Sequence, residues 1–111
     1  MTDRITLENR CDELLTARVK AKEDWCVAYL EYHNLKDRNE DMLHAIMDEV
    51  QAKYEKEIPE NKLERLARGS EKWKIHRRGL TIAKEKELRA RIALDNIRKE
   101  QELCLTKFMK S

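Results

Sequence analysis

The chain has 111 residues, of which 41% are charged and 5% aromatic, with two glycines, one proline and a formal net charge of +2. That length predicts a single domain, residues 1–111, and the composition is the profile of long helices or a coiled coil, with almost nothing to build a sheet. The near-neutral balance and the helical recurrence of apolar residues exclude a disordered polyelectrolyte.

From Thr2 to about Glu57 there is no glycine or proline, so the first helix is predicted to run over about 2–57. Its apolar residues recur at steps of four and three: Leu7, Cys11, Leu14, Arg18, Ala21, Trp25, Ala28, Tyr32, Leu35, Asn39, Met42, Ile46. Only Arg18 and Asn39 are strongly polar, so the stripe reads as a heptad seam held against a partner helix. A second, weaker apolar set (Leu15, Val19, Cys26, Leu30, then Leu43, Met47, Val50, Tyr54) lies off that seam. The Ile58-Pro-Glu-Asn61 stretch ends the helix, since proline disfavours helix in the preceding residue and suits the first turn of the next one.

A short helix is predicted over about 60–68. Gly69 is expected to end it in the left-handed conformation, and Ser70 to cap the last helix, about 71–109. The stripe of that helix is Trp73, His76, Leu80, Ala83, Glu87, Ala90, Leu94, Ile97, Gln101, Cys104, Phe108. Gly79 lies inside it, where a close helix crossing or a bend would justify the loss of helix propensity. Two long stripes of similar length with no third competitor predict an all-α fold: a long antiparallel, coiled-coil-like hairpin with a short connecting helix near its closed end. Charge agrees, because residues 1–57 hold 9 Lys/Arg and 14 Asp/Glu, a balance of −5, while residues 58–111 hold 15 and 8, a balance of +7. The short helix can cover part of the second apolar set, but Leu15 to Leu30 require another partner, which predicts a homodimer.

Two surfaces are candidates for binding. Lys62 to Arg91 contains 11 Lys/Arg against four acids, the footprint expected for phosphate backbones. Lys72, Lys74, Arg77, Arg78, Lys84 and Arg89 are its candidate phosphate contacts. Trp73 or His76 is placed to stack on an unpaired base, which favours single-stranded DNA. Against this stands the plainer reading that the basic side chains pair with the acidic first helix and that Trp73 is the first core residue after the cap. The rival surface is acidic: Asp24, Glu31, Asp37, Glu40, Asp41, Asp48 and Glu49 would dock on a protein partner as a nucleic-acid-like face. Trp25, Tyr29 and Tyr32 cluster within two turns and read either as core with emergent tyrosines or as a recognition patch.

Chemistry is poorly represented. Asp41-x-x-His44 with Glu40 has the spacing of half a carboxylate-bridged metal site, but no Glu-x-x-His on the other long helix completes it. There is no phosphate-binding glycine loop, no Ser/His/Asp grouping and no metal-knuckle spacing. The expectation is therefore a non-enzyme with no catalytic residues, metal, cofactor or small-molecule substrate. The longest uncharged apolar run, Trp25 to Leu30, falls far short of the roughly 20 residues a spanning helix needs. No N-terminal stretch resembles a signal peptide. With three cysteines expected as reduced thiols, a cytoplasmic protein is predicted.

The run Leu63-Glu-Arg-Leu-Ala-Arg-Gly-Ser70, followed by Trp73, His76, Leu80, Ala83, Ala90, Leu94 and Ile97, resembles that of small helical proteins from the early regions of tailed bacteriophages. Those proteins are encoded near recombination and single-strand annealing genes. The resemblance covers residues 63–108. It implies an all-helical fold and a role beside phage DNA, as an accessory of recombination or replication or as an inhibitor of a host complex. It transfers no activity to particular residues. The strongly acidic first helix and Asn39 on the seam depart from the pattern.

Overall fold

The computed structural model describes residues 4–110, and these are helical except for the connections between four helices. The helices are α1 (Arg4–Asp37), α2 (Asn39–Gln51), α3 (Glu60–Arg68) and α4 (Glu71–Lys110). Long helices α1 and α4 pack against each other as the expected antiparallel hairpin. Contacts divide the chain into two compact units, one joining residues up to Leu30 with those from Glu85 on, the other formed by Glu31–Lys84. No helix among the described residues is long and apolar enough to cross a membrane.

In the first unit the core is a ladder of residues from the two predicted stripes. Leu7, Leu14 and Cys104 are buried together, with Cys11 and Phe108 packed against them, and Ala21, Ala28 and Leu94 are also buried. Polar members of one stripe meet polar partners across the hairpin. Arg18 donates to Gln101 Oε1 at 2.9 Å, and Trp25 Nε1 donates to Glu87 Oε1 at 3.1 Å. Glu87 and Gln101 are each only 8% exposed, and a buried polar group left without a partner would cost about 1–3 kcal/mol. These cross-helix bonds set the local register, because sliding α4 by one turn would orphan both.

In the second unit Leu43 and Ile46 of α2, Ala67 of α3 and Trp73 of α4 form one buried cluster, with Met47 and Val50 packed against it. Here the predicted first helix is corrected. It is interrupted at Arg38, and the helical run ends at Gln51 rather than near residue 57. Arg38 keeps right-handed torsions (φ −83°, ψ −1°) with no side-chain cap. Its N–H still donates to the Asn34 carbonyl at 3.2 Å and its carbonyl accepts from Met42 N–H at 2.9 Å. Beyond it the inward face includes Leu43, while Met42 stays 37% exposed, because α2 must face α3 as well as α4. The expectation that the short helix covers the Leu43–Val50 group holds.

The early end of α2 has a side-chain cause. Gln51 Nε2 donates to the Lys56 carbonyl at 3.0 Å, while its Oε1 accepts from Ile58 N–H at 2.9 Å. One amide thus satisfies two backbone groups of the following loop. Pro59 (φ −54°, ψ 141°) sits just before α3 instead of in its first turn, and its carbonyl accepts from Lys62 and Leu63 N–H, each at 3.0 Å.

The joint between α3 and α4 is partly as expected. Ser70 Oγ accepts from Trp73 N–H at 3.2 Å and donates to the Ala67 carbonyl at 2.6 Å, so Ser70 caps α4 as predicted. Gly69, however, is right-handed (φ −83°, ψ −7°). The Ser70 hydroxyl already turns back to the end of α3, so no left-handed residue is required.

Gly79 has no heavy atom within 4 Å of where a Cβ would stand, which removes the close crossing expected there. Gly79→Ala should therefore raise stability by about 1 kcal/mol, or about 4 °C in the melting midpoint. Calorimetry checks this, and an unchanged or lower midpoint would show that the position needs its glycine.

Candidate nucleic-acid interface

The basic residues around the α3–α4 joint are positioned by Trp73. The residue is only 5% exposed and packs with Leu43, Ile46 and Ala67, which pins the first turns of α4 against α2 and α3 and leaves the neighbouring cations outside. The Arg68 and Arg77 guanidinium carbons lie 5.4 and 5.9 Å from the Trp73 ring centroid, so the indole also holds two of the cations by cation–π attraction. Trp73 is therefore a foundation of the surface and not a stacking platform, which corrects its predicted contact with an unpaired base. His76 is withdrawn in the same way, 8% exposed with Nε2 at 3.0 Å from Asn39 Oδ1. With both rings inside, the structural basis for preferring single strands is gone.

The remaining predicted contacts differ in how they are engaged. Lys72 Nζ donates to both carboxylate oxygens of Glu49, at 2.9 and 2.8 Å. Arg78 reaches Glu71 on its own helix at 3.1 Å, with both side chains about two-thirds exposed, a geometry worth a few tenths of a kcal/mol. Lys74 and Lys84 are exposed, and no side-chain hydrogen bond or ion pair holds either of them among the described residues. Arg89 is likewise exposed on α4, but it belongs to the other unit. Pairing with the acidic arm thus engages Lys72 and leaves most of the stripe unneutralised.

All seven residues of the acidic set are exposed. Glu49 is taken by Lys72, and Asp24 lies in the first unit while the other six lie in the second. Trp25 is half-buried, spends its indole N–H on Glu87, and stands 5.4 Å from Tyr29, centroid to centroid; Tyr32 stacks at a tilt 5.2 Å from His33. Among the described residues no three His, Cys, Asp or Glu side chains gather as a metal site, so Glu40, Asp41 and His44 remain separate surface groups. An open groove of about 350 Å³ lies between α2 and α4, lined by Met42, Ile46, Ile75 and His76 together with the ion-paired Glu49 and Lys72.

The structure also joins Cys11 and Cys104, whose Sγ atoms are 3.0 Å apart, while Cys104 Sγ lies 3.6 Å from the Leu7 carbonyl. The hydrogen bond with Cys104, and secondarily burial, push the Cys11 thiol up to about 11, so it stays protonated at neutral pH and acts as packing. All three cysteines are free thiols. Their mirrored places near the outer ends of the two stripes were the sequence signal for this pair. No family model matches the chain, and no curated protein or solved structure matches it either.

Proposed function

We propose that this chain is a non-enzymatic cytoplasmic binding protein that grips nucleic-acid phosphates through the basic face of α3 and the first turns of α4. The observation that carries this reading is the uncompensated charge of that segment: residues 62–84 hold eight Lys/Arg against two acids, and among the described residues only Lys72 of these is tied to the acidic arm. Lys74, Arg77, Arg78 and Lys84 are the contacts, with Lys62 and Arg65 on α3 extending the face. Contacts of this type recognise backbone rather than bases, so single- and double-stranded DNA bind alike. An accessory role in DNA recombination or replication, implied by the resemblance to phage early-region proteins, is compatible with such sequence-independent binding.

The test is fluorescence anisotropy with labelled single- and double-stranded DNA, begun at low salt and repeated at rising salt. Micromolar affinity is expected, with a log–log salt slope of about −0.9 for each duplex phosphate contact. The Arg77→Glu/Arg78→Glu double variant should bind at least about tenfold more weakly at low salt. Absence of binding at low salt, or binding indifferent to those reversals, rejects the reading. The acidic face is the second reading, supported by the exposure of Glu31, Asp37, Glu40, Asp41 and Asp48 in the same unit. It predicts a protein partner whose binding survives the Arg77/Arg78 reversals and is lost on reversing Asp41 and Asp48.

A further inference from the structure

The hairpin leaves one apolar face of α1 uncovered. Leu15 and Val19 are each 53% exposed, Leu30 is 58% exposed, and Cys26 is exposed. At 3.6 residues per turn these four side chains fall within an arc of about 60°, and the centre of that arc is turned about 150° from the buried Leu14, Ala21 and Ala28. The packing of α4 therefore does not obstruct it. Two shallow surface grooves run along the same face, one including Leu15, Val19 and Glu23, the other Val19, Lys22, Glu23 and Cys26. Exposed apolar side chains aligned along one helix over four turns are unusual on a lone protein surface.

Charge identifies the occupant. Lys22 and Glu23 interrupt the stripe at its centre and flank it on opposite sides by roughly 50° each. If two copies pair through this stripe in parallel, the two-fold axis runs along the helices and brings the left flank of one against the right flank of the other. Lys22 then faces Glu23 of the second copy at nearly the same height, twice over. An antiparallel pair would set Lys22 against Lys22 and Glu23 against Glu23. We infer that α1 carries a self-association surface, Leu15, Val19, Cys26 and Leu30, which joins two copies of this chain in a parallel, in-register pair held in orientation by reciprocal Lys22–Glu23 bridges. This inference is independent of nucleic-acid binding.

The buried patch is about 22 Å long at 1.5 Å per residue, at the small end for a specific interface, so association is expected in the micromolar range. Sedimentation equilibrium at tens to hundreds of micromolar should show a reversible dimer. Lys22→Glu alone should weaken it by at least about tenfold by opposing carboxylates, and adding Glu23→Lys should restore it. Mild oxidation should cross-link the dimer through Cys26, since in-register pairing brings the two Cys26 residues together, and Cys26→Ser should abolish the cross-link. Circular dichroism should confirm that each variant remains helical, which these exposed positions permit. A monomer throughout the concentration range overturns the proposal. So does a dimer that neither responds to Lys22→Glu nor cross-links through Cys26, because it would use another face or another orientation.

Discussion

Trp73→Ala is expected to destabilise the Glu31–Lys84 unit by about 3–5 kcal/mol, the cost of emptying a large aromatic site in a core that cannot collapse around it. Trp73 is the largest side chain in a cluster whose other buried members are Leu43, Ile46 and Ala67. Arg68 and Arg77 also lose the ring over which they lie. Domains of this size are stable by only about 5–15 kcal/mol in total, so the loss is a large fraction of what exists. Hydrogen exchange should show amides of α2, α3 and the first turns of α4 losing protection first, and the thermal transition should fall by more than about 10 °C. A midpoint within a few degrees of wild type would mean that Trp73 is not what holds α2, α3 and α4 together. The same variant separates the two roles considered for this residue, since a stacking residue would change DNA affinity and leave folding intact.

Leu94→Asp is expected to abolish cooperative folding of the other unit. Leu94 is 3% exposed, and a carboxylate buried there would have no partner, at a cost of about 4 kcal/mol or more. Leu80→Asp should be milder, because Leu80 is only half-buried and a charge at its edge can reach water. On the sequence stripe the two leucines are equivalent, so the difference between them tests the structure itself. Far-ultraviolet circular dichroism with urea titration measures it: equal losses would contradict the unequal burial, and full helicity with an unchanged midpoint in Leu94→Asp would place Leu94 outside the core.

The long stripes were legible because helix periodicity is a local property of sequence. Every buried residue of α4 (Trp73, His76, Ala83, Glu87, Leu94, Gln101 and Cys104) lies on the stripe read from spacing alone. The polar residues in those stripes were legible as exceptions, but not as partners. Arg18 with Gln101, Trp25 with Glu87 and Asn39 with His76 are pairings across the chain, which spacing within one helix cannot supply. The basic segment was visible as composition, whereas its division into engaged Lys72, supported Arg77 and unengaged Lys74 and Lys84 required the positions of Glu49 and Trp73.

The misreadings share a cause. Gly69 looked like a left-handed terminator and Gly79 like a crossing point because glycine permits both, but permission is not use. The Ser70 hydroxyl already closes the joint, and nothing approaches Gly79. The first helix looked continuous to about residue 57 because no residue type forbids helix there, yet Gln51 binds the following backbone and ends it early. By itself the sequence determined that the chain is helical, where α3 and α4 begin and which faces of α1 and α4 turn inward, since propensity, capping and periodicity act within a few residues. Register, the fate of Trp73 and the availability of each cation were decided only by tertiary structure, because each depends on which side chain from a distant segment arrives to satisfy or bury it.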